Sequence, residues 1–162
     1  MYLPTSPRVL VSIAIVVSLS LAAGYYILSA PGNAGVSPLP SSFTANGKTF
    51  QITYVATTQS ERQAGLMNRK ITDTTTMLFI FPEPGNYPFW MYDTNSSLDI
   101  MWINATGTSG VVVYLVAGAQ SCYLPVGCPN YYPTAPANYV IEAKAGFAKL
   151  NGINIGTTLQ FG

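Results

Sequence analysis

Asp99 and Glu142 sit on apolar, strand-like runs, LDIMWI and NYVIEA, and Arg62 and Arg69 are the cations whose placement suits them. Along LDIMWI, Leu98, Ile100 and Trp102 point one way while Asp99, Met101 and Ile103 point the other, so both faces are apolar and Asp99 reads as a buried carboxylate. A buried carboxylate needs a cation or hydrogen-bond donors, because otherwise it stays protonated. Arg62 and Arg69 are seven residues apart, two helical turns, and are the expected partners. The plainer expectation is an Asp-Arg clamp between helix and sheet. The sharper one gathers Glu61, Arg62, Arg69, Trp90, Asp99 and Glu142 into a polar cluster lining a ligand site. Two carboxylates at the right separation can act as general acid and base, as in glycoside hydrolysis. Glu142 also has Lys144 at same-face strand spacing, which suggests an ordinary Glu-Lys pair.

The string FPEPGNYPFWMYDTN concentrates Phe81, Tyr87, Phe89, Trp90 and Tyr92 around turn formers. Such rings either form a platform for a sugar or a peptide, or fill the interior of a small β domain. The chain has no histidine, which removes the commonest neutral-pH acid/base, His-ligated zinc and the Ser-His-Asp triad. There is also no Gly-rich phosphate loop, dinucleotide fingerprint or acidic metal loop, so no catalytic set, cofactor or metal site is expected. Charged residues are only 8% of the chain and the formal net charge is +1, which excludes a charge-steered nucleic-acid binder. Asn95 and Asn104 begin N-x-[ST] triplets and are candidate glycan acceptors outside the membrane.

The elements that must position these groups follow from patterning. Asn46-Gly47 between SSFTA and KTFQITYVA is a strong hairpin signal. Further strand-type runs are Met77 to Phe81, Pro88 to Met91, Leu98 to Ile103, Gly110 to Val116, Asn138 to Ala143 and Thr157 to Phe161, while residues 129–136 read as an irregular loop. Thr58 followed by Glu61 fits a capping box, so a helix is expected from Gln59 to Met67. The expected fold is mainly β: a compact antiparallel barrel-like or sandwich domain with one or two short helices.

Residues 9–28 form an uncharged apolar run long enough to span a bilayer. A single N-terminal transmembrane helix in contact with membrane lipid is therefore expected, with a cleaved secretory signal, whose apolar stretch is usually shorter, as the alternative. Arg8 places residues 1–8 in the cytoplasm by the positive-inside bias. Residues 29–42, rich in Pro, Gly and Ser, read as a stalk, and 43–162 as the domain outside the cytoplasm. That domain carries six basic and six acidic side chains. In that compartment Cys122 and Cys128 are expected to form a disulfide worth roughly 2 to 3 kcal/mol.

Several blocks together resemble family 192 of the domains of unknown function (DUF 192). They are ERQAGLMNR (Glu61 to Arg69), MLFIF (Met77 to Phe81), FWMYDTNSSLDIMWI (Phe89 to Ile103), the Cys122 and Cys128 loop, YVIEAKAG (Tyr139 to Gly146) and GINIGTTLQ (Gly152 to Gln160). The resemblance implies a compact β domain with short helices and no established reaction. The expected role is a noncatalytic, membrane-anchored binding or accessory subunit at the outer face of the cell membrane, with a membrane-protein or envelope partner. The alternative is a carboxylate-dependent enzyme acting on envelope carbohydrate or peptide.

Overall fold

Asn46 and Gly47 turn the chain with φ of 50° and 75°, the paired left-handed conformation of a two-residue hairpin turn. They join β1 (Ser42–Ala45) to β2 (Lys48–Gln51) in the expected hairpin, with Ala45 opposite Lys48. The computed structural model describes residues 38–162 apart from position 125. The predicted cytoplasmic residues 1–8, the membrane span 9–28 and most of the stalk lie outside the described residues, although Ser42 already belongs to β1. Among the described residues no helix is long and apolar enough to cross a membrane.

After the hairpin come β3 (Tyr54–Ala56), α1 (Gln59–Ala64), β4 (Thr76–Gly85), β5 (Phe89–Trp90), β6 (Leu98–Thr106) and β7 (Ser109–Ala119). The chain closes with β8 (Asn130–Tyr131), β9 (Ala137–Lys144), α2 (Phe147–Leu150) and β10 (Thr158–Phe161). Eight strands form one sheet in the order β2-β1-β10-β7-β6-β9-β4-β3, and β5 pairs with β8 in a two-stranded ribbon. Pairing in the large sheet is antiparallel except between β3 and β4. Only Ile52 and Thr53 separate the two edge strands. The Thr76 hydroxyl donates to the Gln51 carbonyl at 2.6 Å, and the Thr53 N–H donates to the Thr76 carbonyl at 3.0 Å. The edges therefore meet at a corner, and the sheet is curled and barrel-like rather than a sandwich of two flat layers.

Strand alternation divides the apolar side chains into two clusters. The inner one contains Phe43, Leu78, Met101, Ile103, Ile141 and Leu159, with Phe147 and Ala148 of α2 packed against it. The outer one contains Met77, Phe79, Ile100, Trp102 and Val140, covered by Leu66 and by Phe89 of the ribbon. Full burial of each such large side chain contributes roughly 1.5–3 kcal/mol.

Three sequence expectations are corrected. The helix ends at Ala64, not Met67, because Gly65 leaves the helical region at φ 46° and the chain continues in turns to Arg69. KTFQITYVA is not one strand: it breaks after Gln51 and crosses to the other edge of the sheet. The stretch after Cys128 is not wholly irregular, since Asn130 and Tyr131 pair with Trp90 and Phe89.

Candidate functional site

Glu142 lies in the middle of β9, opposite Met77 on one side and Ile100 on the other, and so belongs to the outer face of the sheet. It is 4% exposed and lines a cavity of about 230 Å³ beneath α1. Burial pushes its carboxyl up to about 8, with neither a hydrogen bond nor a neighbouring charge opposing the rise. A protonated carboxyl at neutral pH is the consequence. It faces a cavity walled by Leu66, Met67, Phe79, Tyr87, Phe89 and Trp90.

The cavity's roof depends on the capping box. Thr58 Oγ1 accepts from the Glu61 N–H at 3.3 Å, and Glu61 Oε2 accepts from the Thr57 and Thr58 N–H groups at 2.8 and 2.9 Å. The Thr58 backbone bond first, and then that of Thr57, hold the Glu61 carboxyl down to about 2. Glu61 is spent on the cap and is exposed on the far side of α1. At the next residue, Arg62 Nη1 donates to the Thr57 and Ile80 carbonyls, and its guanidinium lies 4.9 Å from the Phe81 ring centre. Arg62 thereby ties α1 to β4 at the rim of the cavity. Ile80 lies three residues along β4 from Met77, about 10 Å at the strand rise, so this cation is remote from the Glu142 floor.

The aromatic string divides into buried rings and exposed ones. Phe89 is buried edge-to-face against Phe79 and Trp102, at 4.8 and 5.6 Å. Phe81 and Tyr87 stack at 3.7 Å. Trp90 turns outward, 40% exposed, and leans on Tyr92 at the cavity mouth. The β5–β8 pairing that aims Trp90 is held beside the disulfide loop: Cys122 bridges to Tyr92, its N–H donating to the Met91 carbonyl and its carbonyl accepting from the Asp93 N–H. Cys122 and Cys128 form the expected disulfide.

Asp99 does not meet either arginine. It is 1% exposed, and its carboxylate accepts from the N–H groups of Gly118, Gly146 and Ala148 at 2.9, 3.0 and 2.9 Å. Two of those amides open α2, so Asp99 caps that helix from a strand distant in sequence. The third comes from a bulge in β7, where Gly118 adopts φ 67° opposite Asp99. Arg69 instead bonds the Gly65 carbonyl at 3.1 Å and covers the Tyr54 ring at 4.2 Å. The Asp-Arg clamp is therefore replaced by an Asp-amide clamp. Asp99 and Glu142 project from opposite faces of the sheet, since Glu142 shares the face of Ile100, the residue next to Asp99. Lys144 pairs with Asp73 at 2.6 Å, not with Glu142.

A wider depression of about 680 Å³ lies beside α2, lined by Phe50, Phe147 and Leu150. Its charged groups, Lys144 and Asp73, already satisfy each other. Asn95 and Asn104 are both exposed. Among the described residues no cluster of three metal-ligating side chains occurs. Sequence reasoning singled out Trp90, Arg62, Met67 and Glu142 but missed Phe79 and Leu66 as cavity walls. The strand alternation of MLFIF could have placed Phe79.

Fold and site together define a small, curled β domain with an aromatic-walled cavity built over a buried carboxyl. The chain belongs to the DUF192 family, described as uncharacterized ACR, whose model matches residues 41–161. Among curated proteins none matches the chain. Two solved structures are similar. One is a Sinorhizobium meliloti 1021 protein described provisionally as a transcription regulator: 28% identity, TM-score 0.59, 74% of this chain and 89% of that one. The other is a Novosphingobium aromaticivorans DSM 12444 protein of unknown function: 26% identity, TM-score 0.59, 82% of this chain and 93% of that one.

Proposed function

We propose that the β domain is a noncatalytic binding module, carried outside the cytoplasm on an N-terminal membrane anchor, serving as an accessory subunit of a membrane or envelope assembly. The observation that carries this reading is the half-open cavity over Glu142, walled largely by aromatic and apolar side chains, with a carboxyl at its floor that neither a hydrogen bond nor a neighbouring charge holds, as small-ligand sites are built. The Cys122–Cys128 disulfide supports an oxidising compartment, and the apolar run 9–28 supports the anchor.

The rival hydrolase reading needs two carboxylates flanking one bond. Asp99 is spent on three backbone amides across the sheet from the cavity, which weighs against it. The transcription-regulator description of the Sinorhizobium protein is not carried over, because residues 100–141 hold no charged side chain and the chain has no basic stripe to meet phosphates. The test is purification of the full chain from its native membranes, with bound molecules and neighbours identified by mass spectrometry. Material recovered with the natural protein and lost with Ala64→Trp, which fills the cavity from its lining, supports the module. Recovery of the natural protein as an empty, solitary monomer overturns it.

A further inference from the structure

Resting on the cavity as the binding site, we infer that its ligand is a primary alkylammonium group, such as a lysine side chain or a small amine, with the charged head on Glu142 and the apolar stem between the aromatic walls. The floor presents a single carboxyl, 96% buried by its 4% exposure, with Met77 and Ile100 on its flanks. Gln59, Gln63 and Thr94 also line the cavity, but beside Glu142 a sugar would bring several hydroxyls against Leu66, Phe79 and Phe89, which are buried and apolar, and each hydroxyl left unpaired there costs free energy. A ligand with one polar head and an apolar stem avoids that cost. Among such heads an ammonium is favoured, because it pairs with the carboxylate and because aromatic faces attract cations. A carboxylate head would instead force two acids together on the floor.

Apart from Tyr92, the other charged or titratable groups near the cavity already have partners. Arg62, Tyr87 and Tyr92 line it. Arg62 is held by the Thr57 and Ile80 carbonyls, and the Tyr87 hydroxyl donates to the Glu83 carbonyl at 2.8 Å. On neighbouring elements, Arg69 is held by Gly65 and Tyr54, and Lys144 by Asp73. Binding an ammonium therefore drives one proton off Glu142 into solvent, O–H giving way to an N–H···O contact, and affinity must rise with pH until the empty site is itself ionised.

The experiment uses the full chain in non-ionic detergent micelles, following the Trp90 indole N–H and Met67 methyl resonances. The probes are n-butylammonium, n-butanol and butyrate, each at pH 6 and pH 9. The expected result is that n-butylammonium alone moves both resonances, with apparent affinity rising about tenfold or more from pH 6 to pH 9. In Glu142→Gln, checked for an unchanged fold by its other resonances, that rise is absent. Movement by n-butanol or butyrate equal to that by n-butylammonium, or a pH-independent affinity, overturns the ammonium assignment and leaves the binding site standing. No movement by any probe overturns the site itself.

Discussion

Replacing Asp99 by alanine leaves three buried N–H groups, those of Gly118, Gly146 and Ala148, without an acceptor. An unsatisfied buried donor costs about 1–3 kcal/mol, and water entering the vacated space recovers part of this. The expected loss is about 3–5 kcal/mol, a large share of the roughly 5–15 kcal/mol that holds a domain together. Asp99→Asn keeps one acceptor oxygen and turns the other position into a donor facing donors, so its loss should be about half as large. Urea denaturation of the full chain in non-ionic detergent, followed by tryptophan fluorescence, measures both. A double-mutant cycle of Asp99→Ala with Arg62→Met separates the amide clamp from an ion pair, and coupling near zero is expected. An Asp99→Ala variant within 1 kcal/mol of the natural protein, or a coupling above about 1 kcal/mol with Arg62, would refute the reasoning.

Three further outcomes follow from the same geometry. Glu142 titrates at about 8 folded against an ordinary 4.5, so the native state holds the extra proton between those values and stability falls as pH rises through that window, by at most about 1.4 kcal/mol per unit. Glu142→Gln should flatten that slope in denaturation curves taken from pH 4.5 to 8. Glu61, held down to about 2, acts only as pH falls below 4.5, so the two windows do not overlap. A Cβ at Gly110 would stand 2.4 Å from Ile103 Cγ2, so Gly110→Ala should cost about 1–3 kcal/mol and noticeably less in an Ile103→Ala background. Cys122→Ser with Cys128→Ser opens a short loop and should cost about 2–3 kcal/mol by thermal melting. The same change should broaden the Trp90 resonance, because Cys122 is bridged to Tyr92 beside it.

The parts of this fold that were legible in the sequence are those set by neighbours in the chain. Asn46-Gly47 specifies its own turn, and Thr58 with Glu61 specifies the start of α1, because the groups involved lie within a few residues of one another. The disulfide was legible from spacing and expected compartment. What stayed hidden depends on distant backbone. The partners of Asp99 are amides, which carry no residue signature, and two of them belong to a four-residue helix capped from across the fold. Likewise the chain passes from one sheet edge to the other through Ile52 and Thr53, and α1 then lies in the connection that sets β4 parallel to β3, which local alternation cannot reveal. Glu142 was found but paired with Lys144 on spacing alone, whereas the lysine reaches outward to Asp73 on the loop before β4.

The central claim is that Glu142 is a solitary carboxyl on the floor of a ligand cavity. A carbon-13 titration of its side-chain carboxyl in the full chain tests that claim most directly. The expected midpoint is about 8, moving downward when n-butylammonium is added. A midpoint in the ordinary carboxylate range, unmoved by the amine, would contradict it.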